Sequence, residues 1–185
     1  KDSWWQYHDN EFLPEFCSII HSWDTAFKVN NYNDPSSCTI WGDKQGKWYL
    51  LERFNDRLEY PDLKQKVKQL YAKWGGAAIL IEDKASGQSL IQDLRRETDL
   101  PIVPIKVDAD KVTRAYAITG HIEAGKVLLP LKANWVIDYV AQMGQFPNGK
   151  HDDDVDSTTQ AINYLSRKRI VKNQNAFIPL PAASP

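Results

Sequence analysis

Five consecutive apolar residues, Ala77-Ala78-Ile79-Leu80-Ile81, end abruptly at two acids, Glu82-Asp83. The run has a strand's length and lacks the apolar–polar alternation of a half-buried strand, so it reads as buried on both faces. Strands of that kind sit in sheets covered by helices on each side, and this one segment therefore points to an α/β layer architecture. Its flanks agree. Upstream, Leu63, Val67, Leu70, Tyr71 and Trp74 recur at helical spacing and Gly75-Gly76 stops the helix. Downstream, residues 86–98 read as a second helix and Pro101-Ile102-Val103-Pro104 as a short strand.

Earlier in the chain, Phe16-Cys17-Ser18-Ile19-Ile20-His21-Ser22-Trp23 has the β-branched content of a buried strand and ends at Asp24. Cys38-Thr39-Ile40-Trp41 and Trp48-Tyr49-Leu50-Leu51 are two further strands, joined by Gly42-Asp43-Lys44-Gln45-Gly46-Lys47, whose glycines and aspartate suit a hairpin turn. The order β-β-β-α-β-α-β is an α/β domain with a mixed sheet that opens on three antiparallel strands. The later half is expected to hold a helix over 111–119, an extra β-hairpin built on Glu123-Ala124-Gly125-Lys126 with Val127-Leu128-Leu129, a helix over 134–143, and a last helix from the acidic cluster near 152 to about 165.

A chain of 185 residues, 42% hydrophobic and 25% charged, fills one core and needs no second domain. The net charge is −1, so no global positive field recruits nucleic acid, and DNA binding has to come from local basic patches. Cys17 and Cys38 lack metal-ligand spacing and are expected as buried small hydrophobes in a reducing cytoplasm. No apolar run approaches the roughly 18 residues of a membrane span, and no signal segment opens the chain. The start without Met and the Pro-rich ending are expected to be those of a fragment with a loose tail. Of the seven tryptophans most, including Trp74, are expected in the core.

Three acidic sites stand where a buried strand ends or a helix begins: Asp24, Glu82-Asp83, and Asp152-Asp153-Asp154-Val155-Asp156. Singly, each has an ordinary structural reading, as a turn residue or a helix cap. Together they exceed it, because four acids within residues 152–156 repel one another beyond anything capping requires. A sheet pairing the first strand with the later one would set Asp24 beside Glu82, and Asp153 and Asp156 share a helix face. Adjacent carboxylates call for a cation, and hard Mg²⁺ or Mn²⁺ prefers oxygen ligands. Two such ions clamp a scissile phosphate, which favours phosphodiester hydrolysis. Strand register decides between Glu82 and Asp83, with Glu82 preferred; helix phase decides among Asp152, Asp153 and Asp154, with Asp153 preferred. His151 stays open as ligand, proton carrier or turn residue, and His21 is expected as a core histidine or a supporting one. Lys84, Lys106, Lys111, Arg114 and Lys126 are the candidate phosphate contacts, with Arg167-Lys168-Arg169 and Lys172 a second group.

The segments Ser22-Trp23-Asp24-Thr25-Ala26, Ile81-Glu82-Asp83-Lys84-Ala85-Ser86-Gly87 and His151-Asp152-Asp153-Asp154-Val155-Asp156-Ser157 resemble, in order and spacing, the three acidic motifs of the nuclease domain of phage and prophage terminase large subunits. Asp110-Lys111-Val112-Thr113-Arg114-Ala115 and Glu123-Ala124-Gly125-Lys126-Val127-Leu128-Leu129-Pro130 also look like that family. The resemblance implies a ribonuclease H-like fold over residues 16–166 and an endonuclease that cuts concatemeric double-stranded viral DNA in the cytoplasm of a host bacterium. It implies Asp24, Glu82 and Asp153 as acidic metal ligands with Asp156 as a second acid in the last helix; Asp83, Asp152 and His151 remain further metal candidates. Its partners would be a portal protein, a small terminase subunit and an N-terminal packaging ATPase domain. Residues 1–15 are then a linker remnant from that domain, on which Trp4 and Trp5 would pack, and 167–185 a basic, Pro-rich tail. No G-x-x-x-x-G-K-[ST] phosphate loop occurs in the chain, so it has no motor of its own. The alternatives are a Holliday-junction-resolvase-like or transposase-type nuclease, which would prefer branched DNA or act as a symmetrical dimer, and a non-catalytic packaging docking module.

Overall fold

The computed structural model describes residues 1–26, 35–106, 109–149 and 152–175. These form a 7-stranded sheet in the order β1-β7-β4-β3-β2-β5-β6. The strands are β1 (Gln6–His8), β2 (Ser18–Asp24), β3 (Ser36–Lys44), β4 (Lys47–Asp56), β5 (Ala78–Glu82), β6 (Ile102–Ile105) and β7 (Val127–Pro130). The helices are α1 (Tyr60–Trp74), α2 (Ala85–Glu97), α3 (Lys111–Glu123), α4 (Val136–Gln145) and α5 (Asp153–Asn175). Among the described residues no helix is long and apolar enough to cross a membrane.

The antiparallel opening is as expected. Gln45 and Gly46 close β3 onto β4 with φ of 52° and 81°, the left-handed pair a two-residue hairpin needs and which glycine adopts freely. β5 then joins β2 in parallel and β6 joins β5. Of the strands described only β3 runs against the rest, so the carboxyl ends of β2, β4, β5 and β6 meet at one edge.

Strand alternation sorts the core into two layers. Ile20, Trp41, Leu50, Ala78 and Leu80 face α3, α4 and α5, where Ile118, Ile122, Tyr139, Ile162 and Leu165 cover them. Trp23, Ile40, Ile79 and Ile81 face α1 and α2, where Leu63, Val67, Leu90 and Leu94 cover them. β5 is buried along its whole length, which is what its unalternating sequence required.

Four expectations are corrected. The hairpin at 123–126 does not form: Ile118 and Ile122 extend α3 to Glu123, and Gly125, at φ 66°, ends a helix rather than turning a ribbon. The apolar run after it becomes β7, which inserts in parallel between β4 and β1 and so finds partners on both sides. Residues 6–8, assigned to a linker, are the edge strand β1, and Trp5 is buried in this domain's own core edge-on to Tyr139. Cys17 is exposed at the entry to β2, whereas Cys38 is buried as expected. Trp74 sits half-buried at the rim, its Nε1 donating to the Glu52 carboxylate.

Candidate metal centre

The sheet edge where β2 and β5 end holds the first two acids. Register sets Trp23 beside Ile81, and the next residues, Asp24 and Glu82, are therefore neighbours on adjacent strands. Glu82 shares the parity of Leu80 and Ala78, and Asp24 that of Ile20 and Ser22, so both belong to the layer facing α5. Asp83 falls on the opposite parity, and its N–H donates to the Ile105 carbonyl (2.8 Å), continuing the ladder to β6.

α5 brings the remaining acids to the same edge. Burial, and then the Asp24 charge, push the carboxyls of Asp153 and Asp156 up to about 6. Asp154 is turned differently. It is fully buried and accepts from Arg53 Nε (2.8 Å), Arg53 Nη2 (2.6 Å), Ser37 Oγ (2.9 Å) and Asn55 Nδ2 (3.3 Å). Those bonds engage it with β3 and β4, not with the other acids. Asp152 is more open and pairs with Lys111. His151 lies outside the described residues.

Two lysines hold this centre together. Lys84 Nζ sits between Asp24 Oδ1 (2.9 Å) and Glu82 Oε2 (2.6 Å). Lys111 Nζ sits between Asp152 Oδ2 (2.5 Å) and Asp156 Oδ2 (2.7 Å), and Arg114 approaches Asp156 at 3.4 Å. Burial alone would lower both lysine pKa values, but the Asp24 charge and the hydrogen bonds to Glu82 and Asp24 outweigh it at Lys84, and the bonds to Asp152 and Asp156 do so at Lys111, so both stay above the ordinary range. With ammonium groups spacing the carboxylates, no three acidic, histidine or cysteine side chains among the described residues are gathered as ready metal ligands.

The basic residues proposed from sequence separate accordingly. Lys84, Lys111 and Arg114 face carboxylates. Lys106 is exposed just beyond β6 at the acidic edge, whereas Lys126 precedes β7, at the opposite edge of the sheet. Beside Asp153 runs a cleft of about 480 Å³ between the end of β4 and α4, lined also by Arg53, Asn55, Arg57, Gln142 and Gln145. His21 points to the other layer and bonds the Gly75 carbonyl at 2.8 Å.

Several supporting residues carried no sequence signal. Gln160 on α5 reaches across to β2 and β5. Arg53 and Asn55 reach Asp154 because β4 carries a bulge opposite Ile40/Trp41. Gly87 did carry one, a glycine in the first turn of a helix: a Cβ there would lie 2.0 Å from the Glu82 carbonyl oxygen, so α2 starts pressed against the end of β5.

A mixed sheet whose central order is β4-β3-β2-β5-β6, with acids at its carboxyl edge facing a long helix, defines a ribonuclease H-like α/β domain. The chain belongs to the terminase RNaseH-like domain family, whose model matches residues 21–165. No curated protein matches it in sequence. Among solved structures it is similar to the large terminase of a thermophilic bacteriophage (TM-score 0.66, 14% identity, 87% of this chain and 43% of that chain). It is also similar to the P22 large terminase nuclease domain (0.62, 12%, 88% and 86%). A third likeness is to the large terminase nuclease of another thermophilic phage, G20c, with bound zinc (0.57, 16%, 87% and 94%). The chain thus spans less than half of the first of these proteins and most of the two nuclease domains.

Proposed function

We propose that this chain is the metal-dependent endonuclease domain of a viral terminase large subunit and hydrolyses phosphodiester bonds of concatemeric double-stranded DNA during packaging. The observation that carries the reading is the convergence of Asp24 and Glu82, from adjacent parallel strands, with Asp153 and Asp156 of α5 at one sheet edge. The donor set fits a hard divalent cation, because every member is a carboxylate, and burial and then the Asp24 charge push two of them up to about 6. The lysines lodged between the pairs fit a cluster built around cations.

On this reading Asp24, Glu82 and Asp153 hold two Mg²⁺ or Mn²⁺ ions and Asp156 assists. Such ions, when bound, polarise the phosphate and lower the pKa of the attacking water. The chain's own residues do the rest. Register and alternation hold Asp24 and Glu82 rigidly on strand ends, and Asp154 fixes the start of α5 against β3 and β4. Lys84, Lys111 and Lys106 supply ammonium groups to the DNA backbone, and the cleft beside Asp153 gives a strand room to approach. His151, which precedes Asp152 in the sequence, stays open as ligand, proton carrier or turn residue, and Asp83 and Asp152 are peripheral to the cluster. The zinc bound by the G20c nuclease supports divalent-metal use. The match to only 43% of the thermophilic bacteriophage's large terminase supports a longer protein in which a packaging ATPase domain, a portal protein and a small subunit are the partners, in the host cytoplasm.

Plasmid cleavage by the purified chain tests this. Mg²⁺ or Mn²⁺ should support cutting that EDTA and Asp24→Asn both abolish. A chain that takes up no Mn²⁺ and cuts nothing, alone or joined to an ATPase domain, would overturn the assignment.

A further inference from the structure

Gln160 stands one turn beyond Asp156 on α5 and is 7% exposed. Its Nε2 donates to Ser22 Oγ (2.9 Å) and lies 3.3 Å from the Trp23 carbonyl and 3.5 Å from the Leu80 carbonyl. Carbonyls only accept, so the NH₂ end of the amide is the end that faces the sheet. Its partners are not scattered. Ser22 and Trp23 directly precede Asp24 on β2, and Leu80 stands two residues before Glu82 on β5. A single amide therefore joins the three elements that carry the acids, in the layer directly beneath them.

Sheet pairing does not require this link, since β2 and β5 are already joined by their own ladder. Packing does not require it either: Gln160 lies next to Ala161 and Ile162, which are fully buried core, and an apolar side chain there would avoid the desolvation of an amide. Asp154 ties the start of α5 to β3 and β4, and Gln160 ties the same helix to β2 and β5, the two strands that end in Asp24 and Glu82. Asp24 and Glu82 end β2 and β5 while Asp153 and Asp156 lie in the first turn of α5, and like charges on the facing elements favour moving the helix away from the strands. A short hydrogen-bonded strut just behind the carboxylates opposes that displacement.

We propose that Gln160 is a positioning residue for the metal centre, fixing the distance of Asp153 and Asp156 from Asp24 and Glu82. The inference rests on the reading of that centre as a divalent-cation site. Supporting residues of this kind alter metal affinity by about 10- to 100-fold when removed.

The test is calorimetric titration of the whole chain with Mn²⁺ alone, without DNA, beside thermal melts. Gln160→Met keeps the length and removes the donors, and its Mn²⁺ affinity should fall about tenfold or more. Thr158→Val, which removes a buried hydroxyl of α5 that bonds Tyr139 of α4 (2.8 Å), serves as the structural control and should stay within about twofold of wild type. Ser22→Ala removes one of the three acceptors and should weaken Mn²⁺ binding in the same direction by less, which keeps the inference open to refutation if Gln160→Met fails to fold. Equal affinities in wild type, Gln160→Met and Ser22→Ala overturn the positioning role while leaving the metal centre standing. Wild-type protein that takes up no Mn²⁺ overturns both.

Discussion

At the scale of single residues, the acids were legible and their counter-charges were not. Asp24 and Glu82 announce themselves by ending apolar runs and the cluster at 152–156 by its excess of acids at a helix start, but nothing in the sequence says that Lys84 would fold back onto Asp24 and Glu82. The ammonium competes with any cation for the same two carboxylates. Each contact at this distance is worth a few kcal/mol at an effective dielectric near 20, and a half-exposed lysine retains only a fraction of that through solvent screening. Lys84→Met should therefore tighten Mn²⁺ binding by about tenfold, equivalent to ~1.4 kcal/mol, and lower the melting temperature in EDTA, where Asp24 and Glu82 are left to repel. Parallel Mn²⁺ titrations and melts decide it; an unchanged or weakened affinity means the lysine supports cation binding instead of opposing it.

At the scale of elements, patterns longer than a turn were legible and register was not. The apolar run of β5, the facial spacing of α1 and the Gly46 turn each follow from local chemistry, because a two-sided burial, a helical period and a left-handed φ leave few choices. The β4 bulge has no such signature. Without it Leu50, Glu52 and Phe54 would share one face; with it the pairs become Trp41↔Leu50 and Thr39↔Arg53, and Arg53 and Asn55 turn toward α5. That switch created the Asp154 network, which helix phase, with its preference for Asp153, could not foresee. Arg53→Met would strand a fully buried carboxylate that keeps only Ser37 and Asn55, at a cost of about 3 kcal/mol in chemical denaturation. Arg53→Met combined with Asp154→Leu should recover most of that loss, since removing both partners leaves no uncompensated charge. A double variant no more stable than the single one would mean that α5 depends on the ion pair itself.

For the whole molecule, the near-neutral net charge conceals a strongly local imbalance, and that imbalance links folding to pH. The amino-terminal elements were not legible: β1 and the 3-10 turn before it are anchored to the core by Trp5, and an edge strand of three residues is too short to carry a pattern. The acidic edge has the larger consequence. Asp153 keeps its proton up to about pH 6 in the fold, against an ordinary value of 3.8, with burial and then the Asp24 charge as the causes. Between those values the folded chain binds more protons than the unfolded one, so the stability gradient with pH is negative there and this group's contribution falls as pH rises from about 4 to about 6. In Asp153→Asn that proton uptake is gone. Melts in EDTA at intervals from pH 4 to 7.5 should show wild type losing stability relative to Asp153→Asn across that window and running parallel to it above. Adding Mn²⁺ should reverse the sign of the difference near neutrality, because a cation held by the folded state alone stabilises it by mass action and needs the Asp153 carboxylate to be bound. A wild-type minus variant difference that is flat with pH, or that rises, would mean Asp153 is solvated and stands apart from Asp24, and the four-carboxylate centre would have to be redrawn without it.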